Sequence, residues 1–168
     1  RSAALHDCTK ILLSRTLMDK KKPLDEDEMD RIKHHPLILA ELVEPFDFFS
    51  EERMTLLHHH EHFDGSGYPY GLKGKQIPIG ARLLAVADAL VAMLSERPHR
   101  KKLSEKDAVG ELVKNAGTQF DPAIIACFLE AIQASELIKI PPEVIKDLES
   151  QLPREQSACP QDVEMAKS

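Results

Sequence analysis

The chain has 168 residues, 42% of them hydrophobic, and a formal charge of −6. That length suits one ordinary domain with a tail, and the apolar content can supply a core, which argues against wholesale disorder. The acidic balance argues against general DNA or RNA binding, which needs a basic surface, while a small phosphorylated ligand needs only a local basic patch.

The punctuation is helical almost throughout. Apolar residues at Ala4, Leu5, Cys8, Ile11 and Leu12 share one face of a helix expected over residues 3–13. Asp25 stands three residues before Glu28, a capping-box spacing that opens a second helix. That helix stops or bends at His35, because the residue before Pro36 disfavours the α region. Pro36 suits the first turn of a third helix, Leu37 to Val43, closed by Pro45. Ser50 reads as an N-cap with Glu51 and Glu52 in the first turn, opening a helix to about His62. Residues 64–74 hold four glycines, Pro69 and two tyrosines and form a loop. A long helix follows from Ile79 to about Ser95. Ser104 caps the next, which Gly117 ends, and Asp121 with Pro122 opens another, Ala123 to Ile132. Pro141 and Pro142 start a last short helix, and a polar, disordered tail is expected from Pro153. With no convincing strand pair, the fold class is all-α.

Cys8, Cys127 and Cys159 are widely spaced and read as ordinary thiols rather than a disulfide framework. No apolar run approaches the ~20 residues that cross a bilayer, which points to the cytoplasm. Arg1 is not a methionine, and apolar residues follow at once, as expected of a segment cut from a longer protein.

The histidines cluster. Seven of eight lie at His6, at His34 and His35, and from His58 to His62, with acidic neighbours. Imidazole and carboxylate together suit a borderline metal such as iron, manganese or zinc, although a lone core histidine is more often hydrogen-bonded structure. Asp88 lies in an apolar run, Leu83 to Val91. Such a helix is buried, and a buried carboxylate needs a partner, either a cation or a hydrogen-bond donor from elsewhere. The loop from Asp64 to Gly71 is either a ligand-approaching backbone or just a tight turn. The cluster Arg97, His99, Arg100, Lys101 and Lys102 is either a solvated helix-end patch or a phosphate clamp.

In order, these elements resemble the HD-GYP family of the HD phosphohydrolase superfamily. Leu5 to Lys10 resembles its LHDxGK segment, Lys33 to Pro36 its KxHP, and Ala81 to Asp88 its ARxxxVAD. His59 to Pro69 matches HHExxDGxGYP at every fixed position, Arg97 to Arg100 resembles RPYR, and Ala116 to Pro122 resembles AGTxFDP. The resemblance implies an HD-domain-like helical bundle with a central site for two or three metal ions, usually iron or manganese. It implies His6, Asp7, His35, His59, His60 and Asp88 as ligands, with Asp7 bridging. Lys10 would stand near the scissile phosphate, Arg97 and Arg100 would hold phosphates, and Gly67, Tyr68 and Pro69 would meet the ligand. The implied activity is hydrolysis of cyclic di-GMP to the linear dinucleotide and in some members GMP, by metal-activated water. An upstream sensory or receiver domain is a typical partner. Residues 1–135 would be this domain, N-terminally incomplete, and 136–168 a terminal helix and tail.

Departures matter. The family's helix before His6, which supplies a glutamate and a histidine, has no counterpart in this chain. Thr9 stands in place of glycine, Val91 in place of a frequent aspartate, and His99 in place of tyrosine. They keep open a second reading, a catalytically silent cyclic-dinucleotide receptor or scaffold, and a third, a phosphatase acting on another nucleotide.

Overall fold

The computed structural model describes residues 1–9, 20, 25–96, 101–135 and 138–153. Among these there is no strand, only an isolated bridge between Ala116 and Phe120, and the fold is all-helical. Backbone contacts divide the chain into two compact units, one from Arg1 to Ala85 and one starting at Val86.

The first unit opens with α1 (Ser2–Leu5), shorter than the helix expected from residue 3. Next comes α2 (Glu26–Lys33), capped as expected: Asp25 Oδ1 accepts from Glu28 N–H at 2.9 Å, and Glu28 Oε2 from Asp25 N–H at 3.0 Å. His34 breaks the helix, and α3 (His35–Val43) begins at once with Pro36 in its first turn. A 3₁₀ turn at Asp47–Phe49 leads into α4 (Ser50–His58). Here Ser50 is the first helical residue, and Phe49, with no side-chain hydrogen bond, takes the capping position. Leu39 and Val43 of α3 meet Leu56 of α4 in the core, and Leu5 and Phe49 pack against them. A fully buried leucine of this kind contributes roughly 1.5–3 kcal/mol. After the loop and a 3₁₀ turn at Gly74–Gln76 comes α5 (Ile79–Leu94). A Cβ at Gly80 would lie 2.3 Å from Thr55 Oγ1, so α4 and α5 approach there to a distance only glycine allows.

In the second unit Ser104 Oγ accepts from Asp107 N–H ahead of α6 (Glu105–Lys114), and Asp121 Oδ1 accepts from Ala123 N–H ahead of α7 (Pro122–Ala134). A last helix, α8 (Pro142–Ser150), starts at the proline pair. Val109, Leu112, Ile125, Leu129 and Ile145 are the heart of this core. Cys127 is buried among them, Cys8 is free, and Cys159 lies outside the described residues. The expected tail beyond Pro153 lies outside the described residues. No described helix is long and apolar enough to cross a membrane.

Candidate metal centre

Five of the six expected ligands stand at helix ends, and the sixth, Asp88, lies within α5. His6 and Asp7 follow α1 in a turn, so the helix expected to continue through them has already ended at Leu5. His35 sits where α2 gives way to α3. His59 and His60 occupy the turn after α4, which stops at His58 and not at His62.

The same local bond recurs at these ends. His6 Nδ1 lies 3.0 Å from Ala3 O, His35 Nδ1 2.7 Å from Ile32 O, and His59 Nδ1 2.7 Å from Leu56 O. A carbonyl can only accept, so each Nδ1 carries a proton, and in the neutral ring the lone pair is then on Nε2. The carbonyls belong to closing helical turns, where in-helix donors run out. One hydrogen bond therefore caps a helix and sets the tautomer of a prospective ligand.

Ligand atoms of Asp7, His35, His59 and His60 all lie within 4.8 Å of one another. Donors about 2.1 Å from an ion stand up to roughly 4.2 Å apart, so a closure of well under an ångström would suit one cation. Asp7 Oδ1 is 3.9 Å from His35 Nε2. His6 flanks the group, with Nε2 3.6 Å from Asp7 Oδ2 and its ring 5.5 Å from that of His59. His59, 2% exposed, has a buried Nε2 that makes no hydrogen bond, an arrangement that costs free energy unless something accepts the lone pair. Burial, aided by neighbouring His35 and His6, lowers its pKa to about 4 against the opposing effects of the Leu56 carbonyl and Asp7. The imidazole is neutral at pH 7, as a ligand must be. By donor type, tautomer and spacing, these residues fit a divalent metal.

The HD domain family matches residues 1–124. The chain belongs to it. Cyclic di-GMP phosphodiesterase response regulator RpfG of Xanthomonas campestris pv. campestris is 40% identical over 130 residues, covering 76% of this chain and 34% of that protein. A cyclic di-GMP phosphodiesterase of Thermotoga maritima is 35% identical over 133 residues, 77% of this chain and 36% of that one. The 3'3'-cGAMP-specific phosphodiesterase 3 of Vibrio cholerae is 31% identical over 132 residues, 79% and 29% of the two chains. This HD domain thus spans about a third of the curated relatives it matches. The crystal structure of a cyclic GMP-AMP-specific phosphodiesterase of V. cholerae shares the fold, with a TM-score of 0.57 at 13% identity, over 93% of this chain and 39% of that one.

In this HD domain the loop after the ligands folds back on them. Tyr68 N–H donates to His60 O at 3.2 Å, and the Tyr68 ring stacks on His60 at 4.9 Å and 28°. A Cβ on Gly67 would lie 2.2 Å from His62 N and 2.6 Å from the Glu61 backbone, so this glycine serves close approach rather than an unusual φ. Pro69 follows across a cis peptide bond. Lys10, Arg97 and Arg100 lie outside the described residues. Asp88 belongs to the second unit, on α5, and is half-buried. The apolar run around it had suggested full burial, but α5 exposes Leu83 and leaves Val91 62% exposed.

Two residues were missed as contributors. Thr9, 2% exposed, donates its hydroxyl to His35 O at 3.1 Å, tying the strip after Asp7 to the start of α3. Glu61 accepts Tyr70 N–H at 2.8 Å and Leu72 N–H at 3.0 Å. Its fixed place within the HHE motif was the available signal.

Proposed function

We propose that the chain is the greater part of a metal-dependent phosphodiesterase domain that hydrolyses cyclic di-GMP to the linear dinucleotide, with GMP as a further product. The observation that carries this is the His59 Nε2, buried, neutral and unbonded within a set of three histidines and Asp7. The names of the relatives supply the substrate class.

In this reading His6, Asp7, His35, His59 and His60 would hold two or three iron or manganese ions. The family resemblance adds Asp88 to the set, and that part rests on sequence. Such ions, when bound, make water more acidic and offset charge on phosphoryl oxygens. The chain's own residues do the rest. His35 and His59 are oriented by backbone carbonyls, and His59, neutral at pH 7, presents Nε2 without needing to shed a proton. By the family resemblance, and from sequence alone for the first three, Lys10 would act at the scissile phosphate, Arg97 and Arg100 would hold phosphate oxygens, and Gly67, Tyr68 and Pro69 would border the bound nucleotide. The protein acts in second-messenger signalling, with a sensory or receiver domain as its partner.

The test is a product assay on the metal-free chain reloaded with manganese or iron, using cyclic di-GMP and 3'3'-cGAMP. Product with cyclic di-GMP, lost in Asp7→Ala and Asp88→Ala, is expected. A folded, metal-loaded chain that makes no product refutes catalysis. Calorimetric binding without product would assign the domain to the silent receptor class instead.

A further inference from the structure

Glu61 is 3% exposed, and unlike His59 and His60 just before it, it is not among the residues whose donor atoms cluster; its carboxylate binds the loop. Both oxygens are engaged, Oε1 by Tyr70 N–H and Oε2 by Leu72 N–H, and His58 Nδ1 lies 3.7 Å from Oε1. Elsewhere the loop is tied by Gly65 N–H to His62 O, Tyr68 N–H to His60 O and Gly74 N–H to Phe63 O. Glu61 thus receives the middle stretch, just after the tyrosine that lies on His60. The rings of His35 and His59 are fixed by backbone carbonyls, and the His60 ring packs against His59, His35 and, stacked on it, Tyr68.

We propose that Glu61 is a positioning residue for the metal centre: its carboxylate holds the 62–74 loop closed, and the closed loop keeps the Tyr68 ring against His60 in its ligand orientation. Glu61 follows His60 directly, so one turn presents a ligand on one side and anchors the loop that orients it on the other. This rests on the metal-centre reading above, to which it adds a residue and a route. Groups that orient a ligand from outside the coordination sphere commonly govern affinity by about 10- to 100-fold.

Glu61→Gln keeps the shape but turns one acceptor into an NH₂ group facing a backbone N–H, and Tyr68→Leu removes the ring while leaving the carboxylate. The experiment is Mn²⁺ titration calorimetry of the metal-free chain, the two variants and their combination, at a temperature where circular dichroism shows all to be folded. Each single variant is expected to weaken Mn²⁺ binding roughly 10- to 100-fold, and the combination no further than the weaker single. A merely structural glutamate would lower the melting temperature and leave the affinity of the folded chain unchanged. Wild-type affinity in either variant, or losses that multiply in the combination, overturns the proposal. Should Glu61→Gln not fold, Tyr68→Leu decides alone, since unchanged affinity there breaks the route. A wild-type chain that binds no Mn²⁺ sinks the metal-centre reading itself, a result distinct from intact wild-type binding with indifferent variants.

Discussion

Replacing Gly67 by alanine tests how tightly the loop is pressed onto the ligand turn. The added carbon would sit 2.2 Å from His62 N and 2.6 Å from Cα and C of Glu61. Ordinary contacts between such atoms begin near ~3.5 Å, so the loop has to retreat by about 1 Å, and the obstacle is backbone that cannot swing aside. Overpacking of this sort costs about 1–3 kcal/mol. A retreat of that size also takes the 3.2 Å bond from Tyr68 N–H to His60 O beyond bonding range and stretches the two bonds to Glu61. Each such bond contributes about 1 kcal/mol net, and partial relaxation recovers some, so a loss of roughly 2–4 kcal/mol is expected. Urea unfolding of the metal-free chain, followed by circular dichroism, measures it. Gly74→Ala is the internal comparison: its Cβ meets nothing within 4 Å, but its φ is +60°, so only a backbone cost of about 1–2 kcal/mol applies. A Gly67→Ala loss below that of Gly74→Ala would refute the reasoning.

Thr9→Val deletes the buried hydroxyl that donates to His35 O and should destabilise by about 1–2 kcal/mol in the same urea assay. Gly110→Ala, within α6 and with open space at its Cβ, should stabilise by about 0.5–1 kcal/mol through helix propensity. The hydroxyl and N–H of Ser66 hold the Asp64 carboxyl below its ordinary pKa. A lowered carboxylate pKa adds stability above the unfolded value that is lost as pH falls through the folded one. Ser66→Ala should therefore raise the Asp64 pKa in an NMR titration and move that loss to higher pH.

Local chemistry was legible at three helix starts, though not at Ser50. Asp25, Ser104 and Asp121 cap the helices that their spacing announced, because a capping bond involves residues two or three apart. Where an element ends against something distant, the sequence misled. The helix expected to reach His62 stops at His58, since Glu61 finds its hydrogen bonds nine and eleven residues further on, which no periodicity reports. The run from Leu83 to Val91 reads as apolar all round, yet two of its large side chains face outward, because hydropathy records which faces can be buried and not which find a partner. Four of the candidate ligands that the motifs named, Asp7, His35, His59 and His60, have donor atoms within 4.8 Å of one another. The role of Thr9 was not legible, because a residue that departs from a family pattern reads as a loss until its hydroxyl is seen on His35 O.

The stopping of helices at these histidines has an electrostatic consequence. The C-terminal end of a helix carries a partial negative charge from carbonyls without in-helix donors, and it favours a cation close by. His6 and Asp7 follow the end of α1, His35 the end of α2, and His59 and His60 the end of α4. Their donor atoms come together within one small volume: those of Asp7, His35, His59 and His60 lie within 4.8 Å of one another, and His6 flanks them. Had the helices run on through these residues, as periodicity suggested for α1 and α4, adjacent side chains would point about 100° apart, and neighbours such as His59 and His60 could not so readily serve one ion. Ending each helix turns its last carbonyls into acceptors for Nδ1 and leaves the adjacent turn free to converge. In this domain, termination of the helix is therefore what presents each candidate ligand, and at His6, His35 and His59 the imidazole hydrogen bond three residues back is the device that does both.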